Sequence, residues 1–277
     1  MSTVPRAEPR TLAPPERRVA KVTANEAVGA YRLITATDAA GPPDPWPGQF
    51  YMLASVERWG GEADERPYLP RAFSFARAHP EPGGVRLSFL LEGVGPGTRR
   101  LGELGEGDAL HLLGPLGVGF RGPAERRAVL CGGGIGVAPL LCWQEELQTT
   151  PEVLLGFRSG AHAEAARLFA TPPEVVTDDG SVGRRALVTE PLRETLTGDS
   201  AAMVYACGPP AMLEAVRALC AELEVPAQLA LESGMACGYG ACFGCVVPTR
   251  DGYLRLCVDG PVLDAERLPS ALFAGAH

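Results

Sequence analysis

The sequence predicts a multi-domain protein: an antiparallel β-barrel, an α/β domain with a parallel sheet, and a small C-terminal subdomain organised by cysteines. Three observations support this: short alternating apolar runs up to about residue 120, strands alternating with helices after it, and four clustered cysteines near the C-terminus. A chain of 277 residues also exceeds the usual size of one core. The predicted segments are a disordered tail, the barrel, the α/β domain and the cysteine subdomain, at 1–18, 19–120, 121–227 and 228–277.

Composition narrows the class of protein. The net charge is -8, with 33 acidic and 25 basic residues, so no overall positive field would attract nucleic acid or an anionic membrane. No apolar run is long enough to cross a bilayer, and no secretory signal is visible near the N-terminus, so we expect a cytoplasmic protein with reduced cysteines. Residues 1–18 are rich in Pro, Arg and Glu and are expected to be disordered.

The barrel is predicted from about six short strands between residues 19 and 119, each ended by a turn signal. In the strand that begins at Arg71, this residue and Phe73 share one face because side chains alternate along a strand. Such an arginine can bind a pyrophosphate, an aromatic ring can lie against a flat heterocycle, and Ser74 can bond a ring heteroatom. The alternative is a solvated arginine beside core aromatics.

A glycine-rich turn in the same domain runs from Gly93 into a short predicted helix and contains Gly97 and Thr98. We expect Thr98 to cap this helix, whose free N-terminal N–H groups would then form a phosphate site. The alternative is an ordinary turn and cap. The barrel therefore offers two segments suited to a flavin.

The α/β domain begins with a buried strand at 128–131, a glycine turn and an amphipathic helix, which is the order that binds dinucleotides. About five parallel strands are expected, with their ligand beyond the carboxyl ends. Arg158 and Ser159 follow the second strand, where they would contact either a 2′-phosphate or only the adenosine, so NAD and NADP both remain open. The predicted nucleotide-binding residues are Gly132, Gly133, Gly134, Gly136, Cys207 and Gly208. Cys207 is placed to touch a nicotinamide, or is simply a small buried residue.

Four cysteines with the spacing C-x4-C-x2-C-x11-C make the strongest signal in the sequence. They are Cys237, Cys242, Cys245 and Cys257. Glycines between them allow the sulfurs to turn inward around an inorganic centre. The spacing matches a plant-type [2Fe-2S] cluster better than zinc, whose ligands usually come as paired C-x2-C units. Zinc, disulfides and buried free thiols are the alternatives.

These motifs, in this order, resemble the ferredoxin-NADP reductase superfamily, and the segment from Glu232 to Cys245 looks like the electron-transfer subunit of NAD-linked, heteromeric dihydroorotate dehydrogenase. The resemblance implies that the four cysteines ligate the cluster. It also implies an FAD site made of Arg71, Ala72, Phe73, Ser74, Leu90, Leu91, Glu92, Gly97 and Thr98.

The resulting hypothesis is an electron-transfer protein in which nicotinamide exchanges hydride with the flavin and the flavin exchanges single electrons with the cluster. The resemblance implies a catalytic flavoprotein partner that oxidises dihydroorotate for pyrimidine biosynthesis, joined in a heterotetramer. No catalytic residue is assigned, because the four histidines (His79, His111, His162 and His277) look isolated. The alternatives are a subunit of a soluble hydrogenase, a ferredoxin:NADP oxidoreductase subunit, and a zinc-stabilised binding module without redox activity.

Overall fold

The computed structural model describes residues 16–60, 67–199 and 201–272. The predicted fold class is confirmed: an antiparallel sheet of barrel type is followed by a mostly parallel sheet flanked by helices and by a C-terminal cysteine segment. The first 15 residues of the predicted tail lie outside the described residues. Arg17 and Arg18 already belong to the first strand, so the tail that we predicted overlaps the start of the barrel.

The barrel sheet contains seven strands, in the order β4-β3-β7-β1-β2-β6-β5. The strands are β1 (Arg17–Val28), β2 (Tyr31–Asp38), β3 (Phe50–Ser55), β4 (Arg71–Ser74), β5 (Arg77–Glu81), β6 (Gly84–Leu91) and β7 (Ala109–Leu116), with helix α1 (Pro96–Gly102) between the last two. About six strands were predicted, one of them from Arg71 to Ala76. The strand that was missed is β5, which follows β4 after Phe75 and Ala76. Since β4 and β5 are the two edge strands, this short connection brings the edges of the sheet together.

Aromatic side chains fill the interior of the barrel. The ring of Tyr51 on β3 packs edge-to-face against Phe75 at 6.1 Å and Phe89 at 5.8 Å between centroids, and all three side chains are fully buried. Edge-to-face contacts of this kind stabilise a core beyond the burial of their area. These contacts hold together β3 and β6, which lie next to the predicted flavin-binding residues of the barrel.

The second sheet also has seven strands, in the order β11-β10-β9-β8-β12-β13-β16. The parallel strands are β8 (Arg127–Gly133), β9 (Glu152–Phe157), β10 (Glu174–Thr177), β11 (Arg184–Arg185), β12 (Ala202–Cys207) and β13 (Ala227–Ala230). The helices between them are α2 (Val137–Glu146), α3 (Gly160–Ala163), α4 (Thr189–Leu196) and α5 (Pro210–Glu222). No helix within the described ranges is long and apolar enough to cross a membrane.

The C-terminal segment folds back onto this sheet. After the cysteine loop come β14 (Val246–Thr249), β15 (Gly252–Arg255), helix α6 (Leu256–Asp259) and β16 (Val262–Asp264), which pairs antiparallel with β13. The prediction of about five strands missed β11 and β16. These edge strands have only two and three residues, which is too short for an alternation of apolar and polar residues to be visible. The predicted boundary between residues 227 and 228 falls inside β13, so the segment that carries the cysteines also closes the sheet.

One apolar core runs through all three parts. It joins Phe50 and Met52 of β3 to Val129 and Leu229 of the second sheet, and to the side chain of Cys245. A second cluster seats Phe120, in the connection between the sheets, against Trp143 and Tyr205, with ring centroids 5.6 Å apart in both pairs. The barrel, the sheet and the cysteine segment are therefore packed as one body.

Helix α5 is tied to the C-terminal segment by one carboxylate. Glu214 accepts hydrogen bonds from the guanidinium of Arg217, from the hydroxyl of Ser270 at 3.0 Å and from the N–H of Ala271 at 2.6 Å. The bonds from Arg217, and then those from Ala271 and Ser270, outweigh burial and lower the pKa of Glu214 to about 2.

We expect Glu214→Gln to lower the free energy of unfolding by about 2 kcal/mol, the order of a hydrogen bond to a charged group. Because the pKa is depressed on folding, the carboxylate stabilises the protein fully above its ordinary value of 4.5, and this stabilisation is lost as the pH falls toward 2. Urea denaturation at pH 7 and pH 4 measures both effects. Glu222→Gln, which breaks an exposed ion pair with Arg193, is the matched control and should change stability far less. Equal losses in the two variants would contradict the assignment.

Candidate functional site

The barrel faces the second sheet across a cavity of about 250 Å³, which we call the barrel cavity. Its barrel wall comes from strand β4, from Leu90 on β6 and from the turn that follows β6. Strand β3 supports this wall, since Phe50 pairs with Ser74 and Met52 with Ala72. The predicted flavin residues that line the cavity are Ala72, Phe73, Ser74, Leu90, Glu92 and Thr98.

Arg71 and Gly97, the anchors of the two predicted flavin segments, lie against each other. A Cβ atom on Gly97 would stand 2.7 Å from Nε of Arg71, so only glycine leaves room for the guanidinium there. The same guanidinium donates to the carbonyl of Leu69 at 2.5 Å and lies 5.9 Å from the centroid of the Trp59 ring. A strand residue and a helix start, 26 positions apart, therefore form one edge of the site.

Two predicted residues in this region differ from expectation. Thr98 is not the N-cap residue of helix α1, which is Gly95. At the third helical position, Thr98 instead takes part in a capping box, in which its hydroxyl accepts a hydrogen bond from the N–H of Gly95 at 3.0 Å. Pro96 starts the helix one turn earlier than expected because a proline is well suited to its first position. The side chain of Leu91 lies in the barrel core rather than in the cavity wall, since it faces the opposite side of β6 from Leu90.

A larger cavity of about 680 Å³ lies beyond the carboxyl ends of β8, β9 and β12, and we call it the sheet cavity. The glycine turn between β8 and α2 forms one wall, and the Gly208-Pro-Pro segment after β12 forms another. The predicted residues that line it are Gly133, Gly134, Gly136 and Gly208. Gly132 lies behind the turn, where a Cβ would meet Leu155 at 2.9 Å, and Cys207 lines the barrel cavity instead.

The two glycine segments touch each other through their backbones. A Cβ on Gly136 would stand 2.5 Å from the nitrogen of Gly208 and 2.7 Å from the carbonyl carbon of Cys207. No side chain fits between atoms that cannot move aside. This contact fixes the spacing between the turn after β8 and the turn after β12, which are the opposite walls of the sheet cavity.

A polar bridge joins the barrel to the second sheet at the edge of this cavity. The carboxylate of Glu92 accepts a hydrogen bond from Arg158 at 2.5 Å and lies 3.4 Å from Nε2 of His162. The other ring nitrogen of His162 lies 2.9 Å from the Ser159 hydroxyl. The expectation that His162 is isolated is therefore wrong: its neighbours are 70 and 3 residues away along the chain, and only the fold brings Glu92 to it.

The buried hydroxyl of Tyr31 also lies at the sheet cavity. Its ring packs edge-to-face against His162 at 5.5 Å, and its oxygen has no hydrogen-bond partner within the described part of the chain. Burial, together with the nearby charge of Glu92, raises the pKa of this hydroxyl, so it stays protonated and offers a donor.

The two cavities meet at a carboxylate that the sequence reasoning did not single out. Glu232 lines both cavities, as do Glu92, Val94, Ile135 and Gly136. Glu232 is exposed to solvent at this junction, and desolvation by the surrounding protein raises the pKa of its carboxylate. One feature of the sequence could have pointed to Glu232. It comes just after a strand of the parallel sheet, and it begins the segment that leads into the cysteine loop.

The cysteine loop packs against the barrel through Gly238. A Cβ there would stand 2.5 Å from Cγ and 2.9 Å from Sδ of Met52, and the backbone has φ of +80°, which favours glycine. The far side of the loop is fixed by Arg255, which donates to the carbonyl of Gly240 at 3.0 Å and lies 5.2 Å from the centroid of the Phe243 ring. The loop is therefore held from both sides.

Backbone N–H groups point at three of the four predicted ligands. Cys242 donates to the sulfur of Cys237 at 3.4 Å, Gly244 to that of Cys242 at 3.5 Å, and Cys257 to that of Cys245 at 3.4 Å. Burial raises the pKa of Cys237, but hydrogen bonds from the backbone of Cys242 and its neighbours outweigh it and bring the value to about 6. Burial and the hydrogen bond to Cys245 raise the pKa of Cys257 to about 12.

The arrangement of the sulfurs fits a two-iron cluster better than a zinc ion. The backbone N–H of Cys242 lies on the sulfur of Cys237 and that of Cys257 lies on the sulfur of Cys245, so the four residues associate as two pairs. A [2Fe-2S] cluster divides four thiolates between two irons, whereas structural zinc gathers four ligands around one ion. Within the described ranges, no three Cys, His, Asp or Glu side chains are grouped closely enough to hold a single ion.

Comparison with known proteins connects these features to a family. A family profile described as the iron-sulfur cluster binding domain of dihydroorotate dehydrogenase B matches residues 232–269. The electron transfer subunit of NAD(+)-dependent dihydroorotate dehydrogenase B from Caldanaerobacter subterraneus is 35% identical over 81% of this chain and 87% of its own length. The corresponding subunit from Listeria monocytogenes serotype 4a is 38% identical over 86% of this chain and 92% of its own.

Among solved structures, that of an NADH-dependent reduced ferredoxin-NADP oxidoreductase is similar with a TM-score of 0.74. The match covers 92% of this chain and 91% of that one at 24% sequence identity, which establishes a common fold.

We expect Gly136→Ala to lower the free energy of unfolding by about 1–3 kcal/mol, because the added methyl group would force apart backbone atoms that cannot yield. Gly122→Ala is the control, since a Cβ at that position meets open space. Thermal denaturation of both variants measures the difference. A fully stable Gly136→Ala protein would show that the two glycine turns are not in contact.

Proposed function

The predicted family is confirmed, since this chain belongs to the electron transfer subunits of NAD(+)-dependent dihydroorotate dehydrogenase B, and we propose that it serves a dihydroorotate-oxidising catalytic subunit in pyrimidine biosynthesis. Electrons from that partner would enter at a [2Fe-2S] cluster and leave through FAD to NAD(+). The observation that carries this proposal is the packing of the cysteine loop on Met52, one strand away from the barrel cavity. Met235, which precedes the cysteine loop, lines the barrel cavity, and the barrel cavity shares lining residues with the sheet cavity.

For the flavin, the proposal assigns the barrel cavity and its edge. Bound FAD would convert hydride exchange into single-electron exchange. Arg71 provides a fixed positive charge beside Gly97 for the pyrophosphate, and Phe73 and Ser74 provide a flat apolar surface and a hydroxyl. The remaining predicted contacts are Ala72, Leu90, Glu92 and Thr98 in the wall, with Leu91 behind it.

For the cluster, the N–H contacts that join Cys237 to Cys242 and Cys245 to Cys257 support these four residues as the ligands that would hold it. The N–H groups directed at these sulfurs would stabilise thiolates, which are the form that ligates iron. Zinc, the basis of the non-redox alternative, fits this paired arrangement less well.

For the nucleotide, we propose the sheet cavity, with the pyrophosphate at the glycine turn from Gly132 to Gly136 and the nicotinamide toward Cys207 and Gly208. The named relatives use NAD(+), which favours this coenzyme over NADP. Location in the cytoplasm and a heterotetramer with the catalytic subunit complete the proposal. None of the eight cysteines, all of which lie in the described ranges, forms a disulfide.

The alternatives that keep these cofactors and change the partner are a hydrogenase subunit and a ferredoxin:NADP oxidoreductase subunit. The similar oxidoreductase structure shares the fold at 24% identity, whereas relatives at 35% and 38% identity carry the dihydroorotate dehydrogenase name. The family therefore favours the dihydroorotate-oxidising partner.

The test is an anaerobic assay of NADH absorbance with this protein, the catalytic flavoprotein of the same organism, dihydroorotate and NAD(+). We expect NADH only when both proteins are present. Cys242→Ser should lose most of its iron and stop NADH formation, because a thiolate ligand is removed. Cys142→Ala removes a buried thiol outside the loop and should keep about two irons per chain. A Cys242→Ser protein with unchanged iron would contradict the ligand assignment, and failure of the wild-type pair would contradict the partner.

Arg71→Ala is expected to weaken FAD binding by about 1.5–3 kcal/mol, roughly 10- to 100-fold, through loss of a charge-assisted contact with the pyrophosphate. The ratio of flavin to protein after dialysis measures it. Arg86→Ala on β6 is the control, since its half-exposed guanidinium pairs with Glu81 on the neighbouring strand and lines neither cavity. Equal flavin content in the two variants would show that Arg71 does not hold the cofactor.

A further inference from the structure

Glu232 is a carboxylate without a partner at the place where the two cavities meet. It lines both of them, and it forms no hydrogen bond or ion pair with the described residues. The carboxylate is exposed in the cleft where the two cavities join, so it is accessible to a ligand bound there. A positively charged group of that ligand would be attracted to it.

The proposed function determines which ligand atoms must lie beside it. Hydride exchange requires the nicotinamide ring to lie against the flavin, so the ring must occupy the junction of the barrel cavity and the sheet cavity. Five residues are common to both cavities, and Glu92 and Glu232 are the two that carry charge. Glu92 is paired with Arg158 at 2.5 Å, which leaves Glu232 as the uncompensated charge.

Other acidic groups near the cleft do not share this place. Asp178 lines the sheet cavity but not the barrel cavity, so it lies toward the far end of the nucleotide. Cys207 lies near Glu232, but burial and the charge of Glu232 raise its pKa well above the usual value, so it remains a neutral thiol. The negative charge that has no counter-charge among the described residues at the junction is therefore that of Glu232.

The ring of NAD(+) is cationic and that of NADH is neutral. We propose that Glu232 is the counter-charge to the oxidised nicotinamide ring and makes the site bind NAD(+) in preference to NADH. Two unit charges a few ångströms apart in a partly desolvated cleft attract one another strongly, and this attraction disappears when the ring gains a hydride. The protein would thus favour entry of the electron acceptor and release of the reduced product. This inference rests on the proposed nucleotide site.

Equilibrium binding to the oxidised protein, with flavin and cluster bound, tests the proposal without turnover. The probes are NAD(+) and the tetrahydro analogue of NADH, which has an uncharged ring and donates no hydride, and calorimetry gives Kd for each. We expect Glu232→Gln to raise the Kd of NAD(+) about tenfold and to change that of the analogue by less than about twofold. Glu232→Asp, which keeps the charge, should retain most of the preference.

Glu106→Gln is the matched control, because this exposed carboxylate lines neither cavity. Equal weakening of both probes by Glu232→Gln, or no weakening of either, would overturn the proposal. Loss of the preference in the control would overturn it as well. If neither probe binds the wild-type protein, the nucleotide site itself is wrong, and the proposed function fails together with this inference.

Discussion

The contact between Gly238 and Met52 is the constraint on which the other features of this structure depend. A backbone with φ of +80° lies directly on the side chain of a barrel strand, at a distance that excludes any Cβ. The same strand pairs Met52 with Ala72 and Phe50 with Ser74, so the cysteine loop rests on the strand that supports the cavity wall. A side chain at position 238 would push the loop away from the barrel and lengthen the path between the two proposed redox sites.

The second constraint is the return of the chain to the sheet. Strand β16 pairs with β13, and the cysteine loop is the long connection between these two antiparallel neighbours. The loop is therefore anchored at both ends in the nucleotide-binding sheet while its middle rests on the barrel. Glu232 lies just after β13, at the start of this connection, which is why one residue reaches both cavities.

Charges in the cleft are distributed unevenly. On one side, Glu92 of the barrel engages Arg158 and His162 of the second sheet, and this bridge spans the edge of the sheet cavity. At the junction, Glu232 forms no such contact with the residues that the structure describes. The two carboxylates thus have different surroundings. Glu92 joins the barrel to the second sheet, whereas Glu232 faces the cleft. Sequence reasoning placed Glu92 in the flavin site by resemblance and gave Glu232 no role, because neither carboxylate has a local pattern that reveals its partners.

The sequence by itself determined the features that depend on local chemistry. Alternating apolar runs predicted the barrel, and the order of strand, glycine turn and helix predicted the nucleotide-binding sheet. The spacing from Cys237 to Cys257 predicted an iron-sulfur loop. Each of these patterns is visible within a short stretch of sequence. The tertiary structure alone decided what contacts what. It placed Gly97 against Arg71, Gly136 against Gly208 and Glu92 against His162, and it turned Leu91 into the barrel core. These pairs are separated by as many as 72 positions, and no short-range pattern encodes which distant atoms will meet once the apolar surfaces are buried.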